Sequence, residues 1–535
     1  MNKKVAFICM EFSIEKLPTY AGGLGILSGD LFYTANDLGI PFYGITFISR
    51  RGYVKYKIKD KELIIETEDY DPIEYFSKID ETYSIKLKNL EIKFDVWKYS
   101  LPNAKLYLID TNRPDNPDWI RELTDRLYFE KNEEEKLLKD ILLGLGTLEI
   151  FDKQGIEIDK YHLNESHGGF LAIELFKRYN SIEDVRKKVV FTTHSIVAGH
   201  DEFSYDLVEK YYNIPDEIRK ISPNKLSLTK VLFELSGKKN AVSFKHREAT
   251  KKLFGVDLDY ITNGVYHFRW INRKIANLYD IYLPGWKKEP AKLAYADYIP
   301  DSEFYRVRSI LKEELINFIN TESYQNKSFS HDRILISVRR RLVEYKRFHM
   351  PLWRLELFEE LNKKYKIQFL ISGAFHPADT YVQNTVKWII DVMSTLNTPI
   401  ALILKRGIEL EKYIISGTDI FLHIPRPPLE ASGTSWMRAA INGVPVLASK
   451  DGSVVEGIID GYNGWLFGKN RIYLDESYNE DEDVLDFYRK LEEAFNLYRY
   501  EHREYLRICK NAIKTIGPIF NTYRVLREYI RRIYE

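Results

Sequence analysis

A short apolar run that stops at glycine or polar residues and then yields to a helical pattern recurs along this chain. Val5-Ala6-Phe7-Ile8 is one such run, followed by Tyr20-Ala21-Gly22-Gly23-Leu24-Gly25 and a helical pattern from Ile26 to Leu38. In the second half, Ile334 to Val338, Phe369 to Ile371, Ile400 to Leu404, Ile420 to Leu422 and Val444 to Leu447 read as buried strands with helical segments between them. Strands alternating with helices predict parallel sheets covered on both faces. At 535 residues the chain exceeds one ordinary core. The expectation is α/β: two doubly wound sheets facing one another. The polar, aperiodic stretch Asn320 to Ser330 sets the boundary, giving domains 1–325 and 326–535. Alternating residues at about 50–110 suggest an inserted β segment, and the helical tail from about Asp481 is expected to pack back on the first domain.

In such sheets ligands bind at the carboxyl ends of strands. Polar residues gather there in Tyr161-His162-Leu163-Asn164-Glu165-Ser166-His167, in Thr192-Thr193-His194 and in Thr262-Asn263-Gly264. No metal-ligand spacing joins the histidines, so no metal site is expected. Arg339-Arg340-Arg341-Leu342-Val343-Glu344-Tyr345-Lys346-Arg347 directly follows a buried strand, which puts several cations at a sheet edge suited to a phosphate or diphosphate. Pro428-Leu429-Glu430-Ala431-Ser432-Gly433-Thr434-Ser435-Trp436-Met437-Arg438 reads as a loop opening a helix, followed by a turn and the Val444 to Leu447 strand. A carboxylate, small residues and unpartnered N–H groups thus meet at one helix start.

A net charge of +1 gives no reason to expect nucleic acid or an anionic membrane as partner. Two cysteines, Cys9 and Cys509, suggest a reducing compartment, and no apolar run is long enough to span a bilayer. The protein is expected to be cytoplasmic, and its abundant Lys, Glu, Ile and Tyr hint at a thermophile.

Together these junctions resemble the α-glucan (glycogen, maltodextrin) phosphorylases of the short archaeal and bacterial type. The resemblance rests on Tyr20 to Gly25, His162 to His167, Thr192 to His194 with Gly199-His200-Asp201, Thr262 to Val265, Arg341 to Arg347 and the Glu430 motif. It implies a GT-B-type glycosyltransferase that transfers α-glucosyl units with retention, by a front-face route assisted by the leaving phosphate. Residue by residue, it implies that Gly22, Gly23 and Leu24 present N–H groups to the donor phosphate, and that His194 and Asn263 hold the glucosyl unit. Glu430 with the Ser432-Gly433 backbone would bind the sugar hydroxyls, and Arg341 and Lys346 the leaving phosphate. Asn164, Glu165, Arg406, Thr434 and Arg438 complete the expected binding set.

Three departures fall around the family's cofactor pocket. Arg438 stands where that family carries its pyridoxal-phosphate lysine, and a guanidinium forms no Schiff base. Gly373-Ala374-Phe375-His376-Pro377 replaces a Gly-Lys-Ala-His-Pro segment, and Leu404-Lys405-Arg406 replaces Glu-Asn-Tyr. The second half also looks similar to the glycogen and starch synthases, at Val444 to Leu447, Glu456 to Gly461 and Asn463 to Phe467. The resulting expectation is a glucosyltransferase that uses UDP-glucose or ADP-glucose on an α-1,4-glucan or maltooligosaccharide acceptor, without pyridoxal phosphate. The alternatives are a phosphorylase using glucose 1-phosphate, and an inactive glucan-binding or regulatory protein. A homo-oligomer is compatible with each.

Overall fold

The computed structural model describes residues 3–15, 17–196 and 200–535, so Gly199 of the expected signature lies outside the described residues. The chain divides into two compact units, the first comprising Met1–Tyr53, Thr67–Thr262 and Val525–Glu535, the second Val54–Glu66 and Asn263–Arg524.

The first unit is built on a sheet whose parallel strands lie in the order Ala104–Asp110, Phe42–Phe47, Val5–Ile8, Lys160–Asn164, Val189–Thr192, Lys238–Ala241, Asp259–Tyr260. Val5 pairs with Phe42 on one side and Lys160 on the other. All four residues of Val5–Ile8 are buried, as a strand covered on both faces requires. The direction of winding reverses between Val5–Ile8 and Lys160–Asn164, so the loops leaving these two strands diverge and open a crevice. Glu91–Ser100 extends the sheet as an antiparallel strand against Ala104–Asp110.

The second unit has parallel strands in the order Ile400–Ile403, Ile367–Ser372, Ile334–Arg339, Ile420–His423, Val446–Ser449, Gly464–Phe467. In chain sequence this is third, second, first, fourth, fifth, sixth, the Rossmann order, with its reversal between Ile334–Arg339 and Ile420–His423. Tyr324–Gln325 pairs antiparallel at the edge. The strand read as starting at Val444 begins at Val446, since Pro445 has no N–H to give a ladder.

Two expected boundaries need correction. The units part at Thr262/Asn263, well before 325/326. The helix Asp301–Glu322 belongs to the second unit because Arg308, almost wholly buried, gives its guanidinium to the carbonyls of Ser416 and Thr418. The inserted β segment is also split. Lys55–Lys59 and Glu62–Glu66 form a hairpin that belongs to the second unit, where Tyr56 N–H bonds the Leu404 carbonyl at 2.9 Å. Of the helical tail, only Val525–Glu535 joins the first unit, where Tyr534 O–H meets His162 Nδ1 at 2.7 Å.

Candidate functional site

The expected site residues collect at the two crevices, and each crevice is described within its own unit. In the first, the loop after Val5–Ile8 leads to the helix Gly23–Asp37. Gly23 and Leu24 open that helix, where N–H groups lack an intrahelical partner. Gly22 is different: its N–H already bonds the Glu11 carboxylate at 3.1 Å, and Ala21 N–H bonds the same oxygen. An internal carboxylate therefore holds part of the expected anion cradle.

The strand Lys160–Asn164 delivers Asn164 and Glu165 to the same crevice. Glu165 adopts φ +76°, a region costly for a residue with a side chain. This turn aims its carboxylate at the His194 N–H, 2.7 Å away. Burial pushes the Glu165 carboxyl up to about 8. The His194 ring is fixed by Asn164, whose Oδ1 lies 2.6 Å from Nε2. Asn164 Nδ2 points to Ser28 Oγ at 3.4 Å, so Oδ1 accepts and His194 carries its proton on Nε2. Burial, then His246 and His162, hold His194 well below the usual imidazole range. Its one ring N–H is spent on Asn164, so the neutral ring has Nδ1 as an acceptor.

The other histidines of these motifs do structural work. His162 is fully buried between Thr192 and Tyr534. His167 Nδ1 lies 2.6 Å from Asp201, which also takes Lys136 Nζ at 2.5 Å. Among the described residues, Asp140, His167 and Asp201 form the one group arranged so that it could hold a metal ion. Lys136 and His167 already supply positive partners to Asp201, so we read the group as an ion-pair network.

The second crevice carries the charge. Arg340 and Arg341 leave the end of Ile334–Arg339, and Lys346 follows on the turn Glu344–Lys346. Glu430 is buried, ion-paired to Arg340, and lies 3.8 Å from Lys346 Nζ. Burial works to raise the Glu430 carboxyl, but Lys346 and Arg340 outweigh it and hold the group below its ordinary value. Lys346 moves further: burial, with the charges of Arg340, Arg341 and Arg438 overcoming Glu430, pushes it down to about 7. Three cations thus stand around one carboxylate, a surplus that an anion would relieve.

Beside them are polar groups suited to a ligand. Ser432 Oγ, Thr434 Oγ1 and Asn263 Oδ1 are buried without hydrogen-bond partners among the described residues. Asn263 Nδ2 holds the Ser432 carbonyl at 3.4 Å, so these expected residues are brought together. Gly433 is required here, because a Cβ would collide with the His423 ring. Sequence reasoning missed His423, which ends the strand on the far side of the reversal and bonds Ser435 Oγ at 3.1 Å. Its place at a strand terminus was the available signal.

The three departures have particular partners. Arg438, on the short helix Ser435–Ala440, is buried, ion-paired to Glu411 and stacked 4.6 Å over the Trp270 ring. Phe375 is fully buried under Tyr56, with ring centroids 4.2 Å apart and nearly parallel, while Tyr56 O–H bonds the Phe375 carbonyl at 3.1 Å. Arg406 is buried on the segment whose Leu404 carbonyl also accepts from Tyr56. One hairpin residue therefore braces both altered segments.

Residues 245–533 match the carbohydrate phosphorylase family, and residues 4–263 match the starch synthase catalytic domain. The chain is 31% identical to a maltodextrin phosphorylase of Thermococcus litoralis, an alignment covering 100% of this chain and 70% of that one. It is 29% identical to a glycogen phosphorylase of Aquifex aeolicus, covering 100% and 86%. An uncharacterized protein of Methanocaldococcus jannaschii is 28% identical with both chains covered in full.

Proposed function

Since the chain belongs to the carbohydrate phosphorylase family of glycosyltransferases, we propose that it moves α-glucosyl units between an α-1,4-glucan and phosphate, with retention. The observation that carries this reading is the cation surplus around Glu430, where burial and the neighbouring arginines push Lys346 down to about 7. A bound phosphate restores the Lys346 proton, and Arg341 and Lys346 stabilise the charge that grows on it as the glycosidic bond breaks. Glu430 is a poor nucleophile, since its carboxylate is already engaged by Arg340 and Lys346. That supports a front-face route in which the leaving phosphate receives the proton of the incoming hydroxyl. His194, a neutral ring fixed by Asn164 with Nδ1 as its acceptor, suits a sugar hydroxyl, as do Ser432 and Thr434.

This reading excludes covalently held pyridoxal phosphate. The residues present do not fit it: Arg438 is spent on Glu411 and Trp270, and Phe375 offers no amine. The same observation favours a second reading, in which UDP-glucose or ADP-glucose is the donor and its diphosphate meets the cations. The test is to supply maltooligosaccharide with glucose 1-phosphate, UDP-glucose or ADP-glucose and to follow chain length. Elongation from glucose 1-phosphate alone supports the first reading, and elongation from a nucleotide sugar alone replaces it with the second. No elongation from any donor overturns both and leaves the inactive glucan binder.

A further inference from the structure

The helix Thr380–Met393 has two apolar faces. Val382, Val386, Ile389, Ile390 and Met393 are buried and secure it to the sheet. Tyr381, Asn384, Thr385 and Trp388 follow the spacing i, i+3, i+4, i+7, so they share the other face. On that face Tyr381 is 42% and Trp388 39% exposed, a large aromatic surface to leave in water. The segment after the Lys346 turn runs alongside and adds His349 and Trp353, closing a pocket of about 560 Å³. That size falls within the range of small-ligand sites.

The interior is organised around His349. Its ring is met nearly edge-on by Trp353 at 5.4 Å, Trp388 at 6.1 Å and Tyr381 at 6.4 Å. His349 is 7% exposed, and its Nδ1 is buried without a hydrogen-bond partner among the described residues. Burial, with Arg426 nearby, pushes its imidazole down to about 4, so it is neutral. The wall is fixed, since Tyr488 O–H bonds the carbonyls of Pro351 at 2.7 Å and Arg354 at 3.1 Å. Arg354 supplies the lining's one charged side chain, and it is ion-paired to Asp481.

We propose that this pocket binds a segment of α-1,4-glucan, as a second carbohydrate site separate from the Glu430 crevice. Aromatic faces flanking neutral donors and acceptors match a glucose unit, which presents apolar C–H faces and a rim of hydroxyls without charge. An anionic ligand finds no unpaired cation in this lining, and an apolar one would leave His349 Nδ1 and Asn384 unsatisfied. The choice of glucan rests on the proposed function. Such a site would hold a long polymer while its chain ends are processed elsewhere, so it would raise affinity for polymer and not for short chains.

The test is electrophoresis of the full chain in gels containing glycogen, with Trp353→Ala, Trp388→Ala and the double variant, each checked for folding by thermal melting. Leu485→Ala, at an exposed position outside the lining, is the control and should leave retardation unchanged. The wild type should be retarded, and the double variant should need about tenfold more glycogen for equal retardation. Activity on maltotetraose should be unchanged. Retardation equal in wild type and folded variants, or no retardation of the wild type, overturns the site. Because retardation needs no turnover, its loss in the variants supports the site even if no donor supports transfer. Transfer with unaltered retardation would instead remove the site and leave the proposed function standing.

Discussion

The two crevices have the same topological origin and opposite electrostatics. In the first unit the key polar groups near the strand ends hold one another: Glu11 caps Gly22, Glu165 takes the His194 N–H, and Asn164 takes its ring. In the second, cations outnumber carboxylates, and the Ser432 and Thr434 hydroxyls are buried without partners among the described residues. A winding reversal supplies a place for a ligand but says nothing of its charge. The side chains decide that, and in the proposed function they divide the work between a neutral sugar and an anion.

That division can be broken most severely at Lys346. Lys346→Met should lower transfer by roughly two to three orders of magnitude, the scale for losing one transition-state charge contact. The same variant should raise the melting temperature by about 2 °C or more, since a buried cation among cations is removed. Near-normal turnover measured with the natural donor would end the view that this crevice handles the phosphate.

Removing the compensating carboxylate sharpens the contrast. Glu430→Gln leaves Arg340 and Lys346 without their counter-charge and should cost about 3 kcal/mol in urea unfolding. Added inorganic phosphate should restore part of the loss. If it does not, the surplus charge does not bind phosphate.

The depressed Lys346 also sets a pH dependence. Its ammonium falls from 10.5 to about 7 in the native state. The unfolded chain therefore holds a proton that the unliganded native protein lacks between those values, and stability should rise with pH across that window. Phosphate favours the protonated form, so its affinity should weaken from pH 7 upward, approaching about tenfold per pH unit. Calorimetry in buffers of different ionisation heat would detect the proton uptake; a pH-independent affinity would contradict it.

The remaining tests are finer. Arg438→Lys with added pyridoxal phosphate should give neither cofactor absorbance nor a new activity, because Glu411 stays to pair the new ammonium and Phe375 stays under Tyr56. A stoichiometric Schiff-base band would reverse that reading. In the first unit, Asn164→Ala frees the His194 ring and should slow transfer by only about tenfold, with the fold intact. A loss as large as that of Lys346→Met would mean that the sugar side carries charge after all.

The sequence foretold these crevices unevenly. Strands such as Ile334–Arg339 were plain because buried parallel strands need continuous apolar runs, and the cations after that strand followed from their position. Partnerships between distant residues were not plain. Arg438 could be seen to lack an amine, but not that it spends its charge on Glu411. A hint lay in Ile408, Glu411 and Ile414, which share one face of the helix Ile408–Gly417 and place a carboxylate in a buried stripe. The sequence puts Tyr56 in an inserted segment of the first domain, since an alternating pattern reveals a hairpin without saying which core receives it. The domain boundary failed for a similar reason. A polar stretch at Asn320 to Ser330 looks like a linker, yet Arg308 ties the preceding helix to Ser416 and Thr418.

The path of the chain through its units bears on how the protein is made. The hairpin Val54–Glu66 is synthesised with the first unit but completed as structure only with the second, while Val525–Glu535 returns to the first. On a ribosome, an emerging nascent chain would hold the Val5–Ile8 strand and its neighbours long before Tyr534 arrives to cover His162. Neither unit can close in the order of translation, so the usual advantage of finishing one domain before starting the next is lost. Completion of the first unit must then wait for Val525–Glu535, and its removal would expose the core of the unit made first.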